Sequence, residues 1–159
     1  MKTSQILTIV ALVLVLGLVG FAWLEKNNQN EVVNTPPQET ASIVGCYAVT
    51  FNKDVYTLNI QSQAGENFSG TLAFKNFEKD SSSGTYAGTY KDGILLGDYA
   101  FQSEGMNSLM QVIFKKSGDD FIRGYGELTR EGTRFTDTSK VTYDASSPLS
   151  VFKKTECSL

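Results

Sequence analysis

Residues 84–101 read GTYAGTYKDGILLGDYAF and form the most regularly patterned stretch of the 159-residue chain. Every second position on either side of Asp92-Gly93 holds a ring, a leucine or a glycine: Tyr86, Gly88, Tyr90, Leu95, Gly97, Tyr99 and Phe101. A period of two is typical of a β-strand, and Asp-Gly between two strands favours a tight hairpin turn. Glycines between large rings favour strong curvature, because a ring can pack over the bare backbone. The stretch therefore predicts a curved hairpin, and curvature favours a barrel.

Segments with a similar alternation lie on both sides of this hairpin. They are found at 47–51, 56–60, 68–74, 110–114 and 121–128, with shorter apolar segments at 140–143 and 149–152. Turn-forming residues such as Asn52-Lys53-Asp54 and Ser117-Gly118-Asp119-Asp120 separate them. The sequence predicts a mainly β fold, an antiparallel meander of about 7–9 strands that is closed as an up-and-down, calycin-like barrel or left as a strongly bent sheet.

The N-terminal part of the chain contains a nearly unbroken apolar run at residues 6–24, without a charged residue. In a helix, about nineteen residues rise on the order of 30 Å, which matches the hydrocarbon thickness of a bilayer. Lys2 precedes the run, whereas Glu25 and Lys26 follow it and nearly cancel, so the positive charge lies on the N-terminal side. We expect a transmembrane signal-anchor helix with residues 1–5 in the cytoplasm. The lipid bilayer would then be one partner of a single-pass cell-membrane protein.

Two other interpretations of this N-terminal segment stay open. Gly20-Phe21-Ala22 offers a small-x-small site at which a signal peptide could be cleaved. Ile43-Val44-Gly45-Cys46 resembles a bacterial lipobox, in which the cysteine is acylated, although such a box abuts the apolar run. Residues 25–42 are polar, contain two adjacent prolines and predict a disordered tether. Residues 43–159 are then one extracytoplasmic, periplasmic β-domain.

The two cysteines, Cys46 and Cys157, lie at the two ends of the predicted domain. An even number of cysteines outside the cytoplasm favours a disulfide, which here would join the first and last strands. Two buried free thiols are the alternative, if the fold keeps those strands apart.

Two short motifs are similar to segments of known β families. Gly45-Cys46-Tyr47 is similar to the Gly-x-Trp that opens lipocalin-type barrels, with tyrosine in place of tryptophan. Residues 86–97, YAGTYKDGILLG, resemble one unit of a MORN-type hairpin repeat, with partial copies at 68–70 and 121–124. MORN proteins contain several tandem copies. Neither motif assigns the chain to a family.

The chain contains no histidine, which removes the commonest general base, the commonest zinc ligand and the Ser-His-Asp triad. A disulfide would also remove the thiol nucleophile. Asp98, Asp119, Asp120 and Glu127 are candidate carboxylates by residue type alone, and the adjacent Asp119-Asp120 is typical of a solvated turn. We therefore expect no catalytic residue, no metal site and no cofactor. With 14 basic and 17 acidic residues and no basic stripe, we also expect no nucleic-acid partner.

The candidate ligand-binding residues are four hydroxyl-bearing rings and one cation: Tyr86, Tyr90, Tyr99, Arg123 and Tyr125. Tyrosine rings serve sugars, peptides and apolar ligands alike. Arg123 shares a strand face with Phe121 and Tyr125, where it could orient a ligand. Alternatively, the rings fill the core with their hydroxyls at its rim, and Arg123 faces water.

These observations favour a non-enzymatic binding or interaction module at the bacterial cell envelope, with a small-molecule, glycan or protein partner outside the cytoplasm. The alternative is an envelope protein that inhibits a secreted hydrolase through an exposed loop, such as 79–84 or 129–135. A cavity lined by tyrosine and arginine favours the first function. A filled core with one long projecting loop favours the second.

Overall fold

A computed structural model describes residues 42–157 of the chain. This part is almost entirely β-structure, with nine strands and one short 3-10 helix, Thr138–Lys140. The strands are β1 (Gly45–Phe51), β2 (Asp54–Ala64), β3 (Asn67–Lys75), β4 (Ser82–Lys91), β5 (Ile94–Ser103), β6 (Met106–Ser117), β7 (Asp120–Tyr125), β8 (Thr142–Tyr143) and β9 (Val151–Thr155). Within residues 42–157, no helix has the length and apolar character needed to cross a bilayer. The predicted cytoplasmic segment, the anchor helix and all but the last residue of the tether lie outside the described residues.

Eight of the nine strands close into an antiparallel barrel. Strands β1 to β7 pair in chain order, and β9 then pairs with both β7 and β1. Each barrel strand therefore pairs on both sides over at least part of its length. A bent open sheet would instead leave the backbone N–H and C=O groups of two edge strands unpaired. The predicted meander is confirmed, and of the two predicted forms the closed barrel is the one observed.

The central hairpin, β4 and β5, confirms the local prediction in detail. Asp92 and Gly93 form its turn with φ values of 51° and 78°, as a type I′ turn requires of both central residues. A side chain on Gly97 would lie 2.8 Å from the Tyr86 ring and 2.9 Å from the Phe68 ring. The rings therefore pack over bare backbone at this position, and glycine is required there for close approach.

The barrel interior is filled by aromatic and aliphatic side chains from every barrel strand. Tyr47, Tyr86, Tyr99, Phe114, Phe121 and Phe152 are its largest fully buried side chains. Neighbouring rings meet mostly edge to face, as in Tyr47 with Phe121 at 4.9 Å between ring centroids and Phe114 with Phe152 at 5.1 Å. Such pairs contribute about 0.5–1.5 kcal/mol each beyond the burial of their area. The interior of the described barrel is thus packed largely with rings.

The two ends of the barrel differ. The disulfide end contains the β2–β3, β4–β5 and β6–β7 turns and the Cys46–Cys157 bridge, whose Cα atoms are 5.2 Å apart. The predicted disulfide is thus confirmed. The crossover end contains the β1–β2, β3–β4 and β5–β6 turns and the long segment 126–150, which leads from β7 to β9.

The crossover segment, residues 126–150, is the part of the domain that departs from a simple meander. It contains the 3-10 helix and β8, and β8 pairs only with the last two residues of β7. Its first part folds into a small hairpin with a bridge between Leu128 and Phe135. Polar and turn-forming residues without a long alternation fill this segment, so no strand-like pattern specifies its path.

The disulfide should supply a large share of the stability of the barrel, because it closes a loop of 111 residues between the first and last strands. In the chain-entropy estimate, such a loop contributes about 4 to 5 kcal/mol. We expect the Cys46→Ser/Cys157→Ser variant to show a much lower urea midpoint than the oxidised wild type, and to be insensitive to reductant. Equal midpoints for variant and wild type would contradict this role.

Gly88 lies opposite Gly97 in the β4–β5 ladder, and its substitution tests the close approach of these two strands. An added Cβ would overlap the Leu96 carbonyl oxygen and lie 2.5 Å from the Gly97 Cα. We expect Gly88→Ala to lower the free energy of unfolding by about 3 kcal/mol. Gly105→Ala is the control, since a side chain there meets open space and adds only left-handed backbone strain of about 1 kcal/mol. Equal losses of unfolding free energy in the two variants would show that β4 and β5 can move apart to accept a side chain at Gly88.

Candidate ligand site at the crossover end

The crossover end has a gap in its wall between β6 and β7. These strands pair only near the disulfide end, from Phe114 opposite Arg123 to Ser117 opposite Asp120. Beyond that point β6 continues for eight more residues toward the crossover end, paired with β5. The chain therefore leaves an opening in the wall, which we call the seam.

The hairpin of the crossover segment covers the outer side of the seam. The Gln111 backbone N–H donates to the Thr133 carbonyl at 2.6 Å, and the Phe135 N–H donates to Gln111 Oε1 at 3.2 Å. Arg134 pairs with Asp98 on β5 at 3.1 Å. These contacts fix the hairpin on the barrel wall and leave a small pocket behind it.

The seam pocket has a volume of about 80 Å³. Most of its lining is apolar, with Met110 and Val112 from β6 and Leu128 and Phe135 from the crossover segment. Arg123 and Tyr125 from β7 contribute its charged and phenolic groups. The pocket thus combines an apolar wall with one cation, the usual composition of a small ligand site.

The Arg123 guanidinium is mostly buried and lies between aromatic rings. Its central carbon is 4.3 Å from the centroid of the Phe74 ring, across the barrel, and 5.2 Å from that of Tyr125. Burial lowers the pKa of Arg123, while the nearby Tyr125 and Tyr56 hydroxyls raise it. An arginine nevertheless stays protonated in a protein. A permanent positive charge is therefore held at the inner side of the seam pocket.

No carboxylate within residues 42–157 forms an ion pair with this charge. Lys116, the comparable cation at the disulfide end, lies 5.0 Å from the Phe121 ring centroid and donates to the Gly118 carbonyl at 2.8 Å. Arg123 has the neutral Tyr125 hydroxyl as a hydrogen-bond partner and pairs with no carboxylate of the described part of the chain. A mostly buried cation without an anion is costly, so this arrangement calls for a functional explanation.

Exposed apolar side chains surround the same end of the barrel. Six large hydrophobic side chains are exposed in the described part of the chain, and five of them lie at or near the crossover end. We call these five the apolar rim: Phe51, Phe77, Met106, Leu109 and Tyr125. The sixth, Val44, lies at the disulfide end. One-sided exposure of this kind is typical of a surface that receives an apolar partner.

The structure places the five predicted ligand-binding residues in four different environments. Arg123 and Tyr125 lie together in the seam pocket. Tyr99 is buried below the crossover end, and its hydroxyl lies 3.1 Å from Ser82 Oγ. Tyr86 is sealed in the core, where its hydroxyl donates to the Val112 carbonyl at 2.9 Å. Tyr90 lies at the disulfide end, packed against Phe121.

Sequence reasoning missed the other half of the site. Alternation along β3 and β7 places Phe74, Arg123 and Tyr125 on inward faces, so their meeting could have been predicted once the barrel was assumed. Leu128 and Phe135 lie in the irregular crossover segment, and no periodic pattern marks them. Of the candidate carboxylates, Asp98 pairs with Arg134 and Asp120 accepts the Lys154 backbone N–H at 2.9 Å. Residues 42–157 contain no group of three or more potential metal ligands.

Comparison with known protein families, with curated proteins and with solved structures finds no match to this chain.

The buried Tyr86 hydroxyl gives a prediction that separates core tyrosines from site tyrosines. At neutral pH, Tyr86→Phe should lower the free energy of unfolding by about 1 to 2 kcal/mol, because buried carbonyls lose their donor. Burial holds the pKa of folded Tyr86 well above 10. Above pH 10 the unfolded state therefore releases a proton that the folded state retains, and stability falls with rising pH.

Tyr86→Phe removes this pH-dependent loss of stability, which amounts to about 1.4 kcal/mol of unfolding free energy at pH 11. The stability difference between wild type and Tyr86→Phe should accordingly shrink between pH 8 and pH 11 in urea unfolding. Tyr125→Phe, at a half-exposed ring, serves as the control. A difference that stays constant with pH would contradict the sealed position of Tyr86.

Proposed function

We propose that this chain is a non-enzymatic binding module of the bacterial cell envelope, held at the membrane by residues 6–24, that receives its ligand at the crossover end of the barrel. The observation that supports it most directly is the mostly buried Arg123 guanidinium, which lacks an anionic partner within residues 42–157 and faces a pocket. A binding site explains this charge, because a ligand would complete its coordination.

The position of the apolar rim supports the same end of the molecule. Phe51 at the end of β1 and Tyr125 at the end of β7 are 43% and 44% exposed. A ligand in the seam pocket that extends outward would meet Tyr125, which lines the pocket, and continue along this end of the barrel. The pocket and the rim thus supply a polar anchor and an apolar surface to one ligand.

A binding role also fits the chemistry of the residues. The sequence lacks histidine, both cysteines are bridged, and two of the candidate carboxylates, Asp98 and Asp120, are held by Arg134 and by the Lys154 backbone N–H. The histidine-based and thiol-based templates for a nucleophile or an acid-base pair are thus missing from residues 42–157. No observation favours the inhibitor alternative over the binding module. The loop 129–135 lies against the barrel wall, and Ser82 to Gly84 already belong to β4.

Native mass spectrometry of the full-length protein, purified from its own host, tests the proposed function. We expect the wild type to hold a discrete non-covalent mass that disappears on denaturation. The Phe51→Ser/Tyr125→Ser variant should lose this mass, because it removes two apolar contacts from the rim. Val44→Ser is the matched control, since Val44 is equally exposed but lies at the disulfide end.

Two results would overturn the proposed function. A wild-type protein that holds no additional mass would show that the crossover end has no ligand in the cell. A mass that persists in the Phe51→Ser/Tyr125→Ser variant and disappears in Val44→Ser would place the ligand at the opposite end.

A further inference from the structure

We propose that the seam pocket binds a carboxylate attached to a short apolar chain, with the Arg123 guanidinium as the group that holds the carboxylate. This inference rests on the proposed function and names the chemical class of its ligand. It follows from four properties of the pocket: its charge, the geometry of that charge, its volume and its apolar wall.

The charge determines the sign of the ligand. Among residues 42–157, Arg123 is the only cation that lines the seam pocket, and no acidic side chain of this part of the chain lines it. The groups that raise the pKa of Arg123 are tyrosine hydroxyls, with Tyr125 the first among them, and not carboxylates. A neutral or cationic ligand would leave the guanidinium uncompensated, whereas an anion would pair with it in surroundings of low polarity.

The geometry of the guanidinium favours a planar anion. The ring of Phe74 lies close to the guanidinium carbon, at 4.3 Å, which orients the cation by contact with an aromatic surface. An arginine fork presents parallel N–H groups along its edge, and these match the two oxygens of a carboxylate. Stacking on a ring leaves such an edge available, because the ring occupies only a face of the guanidinium.

The volume limits what enters the pocket. About 80 Å³ is several times the volume of roughly 10–15 Å³ that one water molecule needs in a cavity. This space holds a carboxylate and one or two further carbon atoms. It is smaller than the cavity of about 150 Å³ that accommodates benzene, which favours an aliphatic chain over an aromatic ring.

The wall and the rim determine what is attached to the carboxylate. Met110, Val112, Leu128 and Phe135 present apolar surface around the entering carbons. Toward solvent, Tyr125 at the edge of the pocket is 44% exposed, and Met106 at the start of β6 is 67% exposed. The remainder of an aliphatic chain can lie on this apolar surface as it leaves the pocket.

Nuclear magnetic resonance of the full-length protein tests this assignment, because the chain has only three arginines, at 123, 130 and 134. The side-chain Nε–Hε signals are followed during titration with sodium hexanoate, which has the carboxylate and an aliphatic chain. We expect the Arg123 signal to shift and saturate, while those of Arg130 and Arg134 stay in place. Hexanol and hexylamine, which lack the anion, should not shift it.

Substitutions provide the controls. Arg123→Met should weaken hexanoate binding by about 30-fold or more, read from the signals of the pocket methyl groups. Arg123→Lys keeps the charge without the fork and should retain part of the affinity. Arg130→Met removes an exposed arginine and should leave binding unchanged. Thermal unfolding of each variant separates loss of binding from loss of the fold.

Two results would overturn the carboxylate assignment. One is hexanoate binding that survives in a folded Arg123→Met variant, since the cation would then act only as a packing group on Phe74. The other is tighter binding of hexyl phosphate than of hexanoate, which would indicate a tetrahedral anion. Either result leaves the proposed function intact if native mass spectrometry still finds a ligand at the crossover end.

The same carboxylate chemistry occurs in free aliphatic acids and at the C-terminus of a peptide. Acetyl-Ala-Val with a free carboxyl group, and its amide, distinguish these sources. Tighter binding of the acid peptide than of hexanoate, with loss of binding by the amide, would identify a peptide C-terminus. Tighter binding of hexanoate would identify a free acid. Failure of both acids to shift the Arg123 signal would overturn the inference.

Discussion

The structure depends on one closure, the insertion of β9 between β7 and β1. This pairing converts a seven-strand meander into a barrel, and the Cys46–Cys157 bridge fixes it at the disulfide end. The contacts of β9 are short, three residue pairs with β1 and two with β7. At the disulfide end, the covalent bridge reinforces these short pairings. At the crossover end, the long irregular segment 126–150 completes the barrel instead. The asymmetry of the barrel follows from this difference.

That asymmetry also separates stability from binding. Rings such as Tyr86 and Phe114 fill the interior and meet partners within the core, so their hydroxyls and edges are satisfied there. At the crossover end, β6 and β7 do not pair, so the barrel wall has a gap there. Arg123 faces the pocket in this gap. The interior of an eight-strand barrel is either filled by side chains or holds one small ligand. Rings fill much of this interior, which favours a ligand site at its mouth or in a gap in its wall.

The sequence was sufficient to predict the strands, the central hairpin and the disulfide, because each depends on local alternation, turn chemistry or the position of two cysteines. It also indicated Arg123 and Tyr125, since alternation places both on one face of β7. It could not separate Tyr86 from Tyr125, because depth in the core depends on strand register and on how the barrel closes. The position of Phe135 was equally inaccessible, since it depends on long-range contacts such as its bond to Gln111.

The most direct test of the central claim is a crystal structure of the full-length protein grown with hexanoate. The account predicts both carboxylate oxygens within about 2.7–2.9 Å of the Arg123 guanidinium nitrogens. The aliphatic chain should pass Met110 and Phe135 toward Tyr125. A structure in which the Arg123 guanidinium pairs with a carboxylate of the chain itself, and hexanoate is bound elsewhere or nowhere, would contradict it.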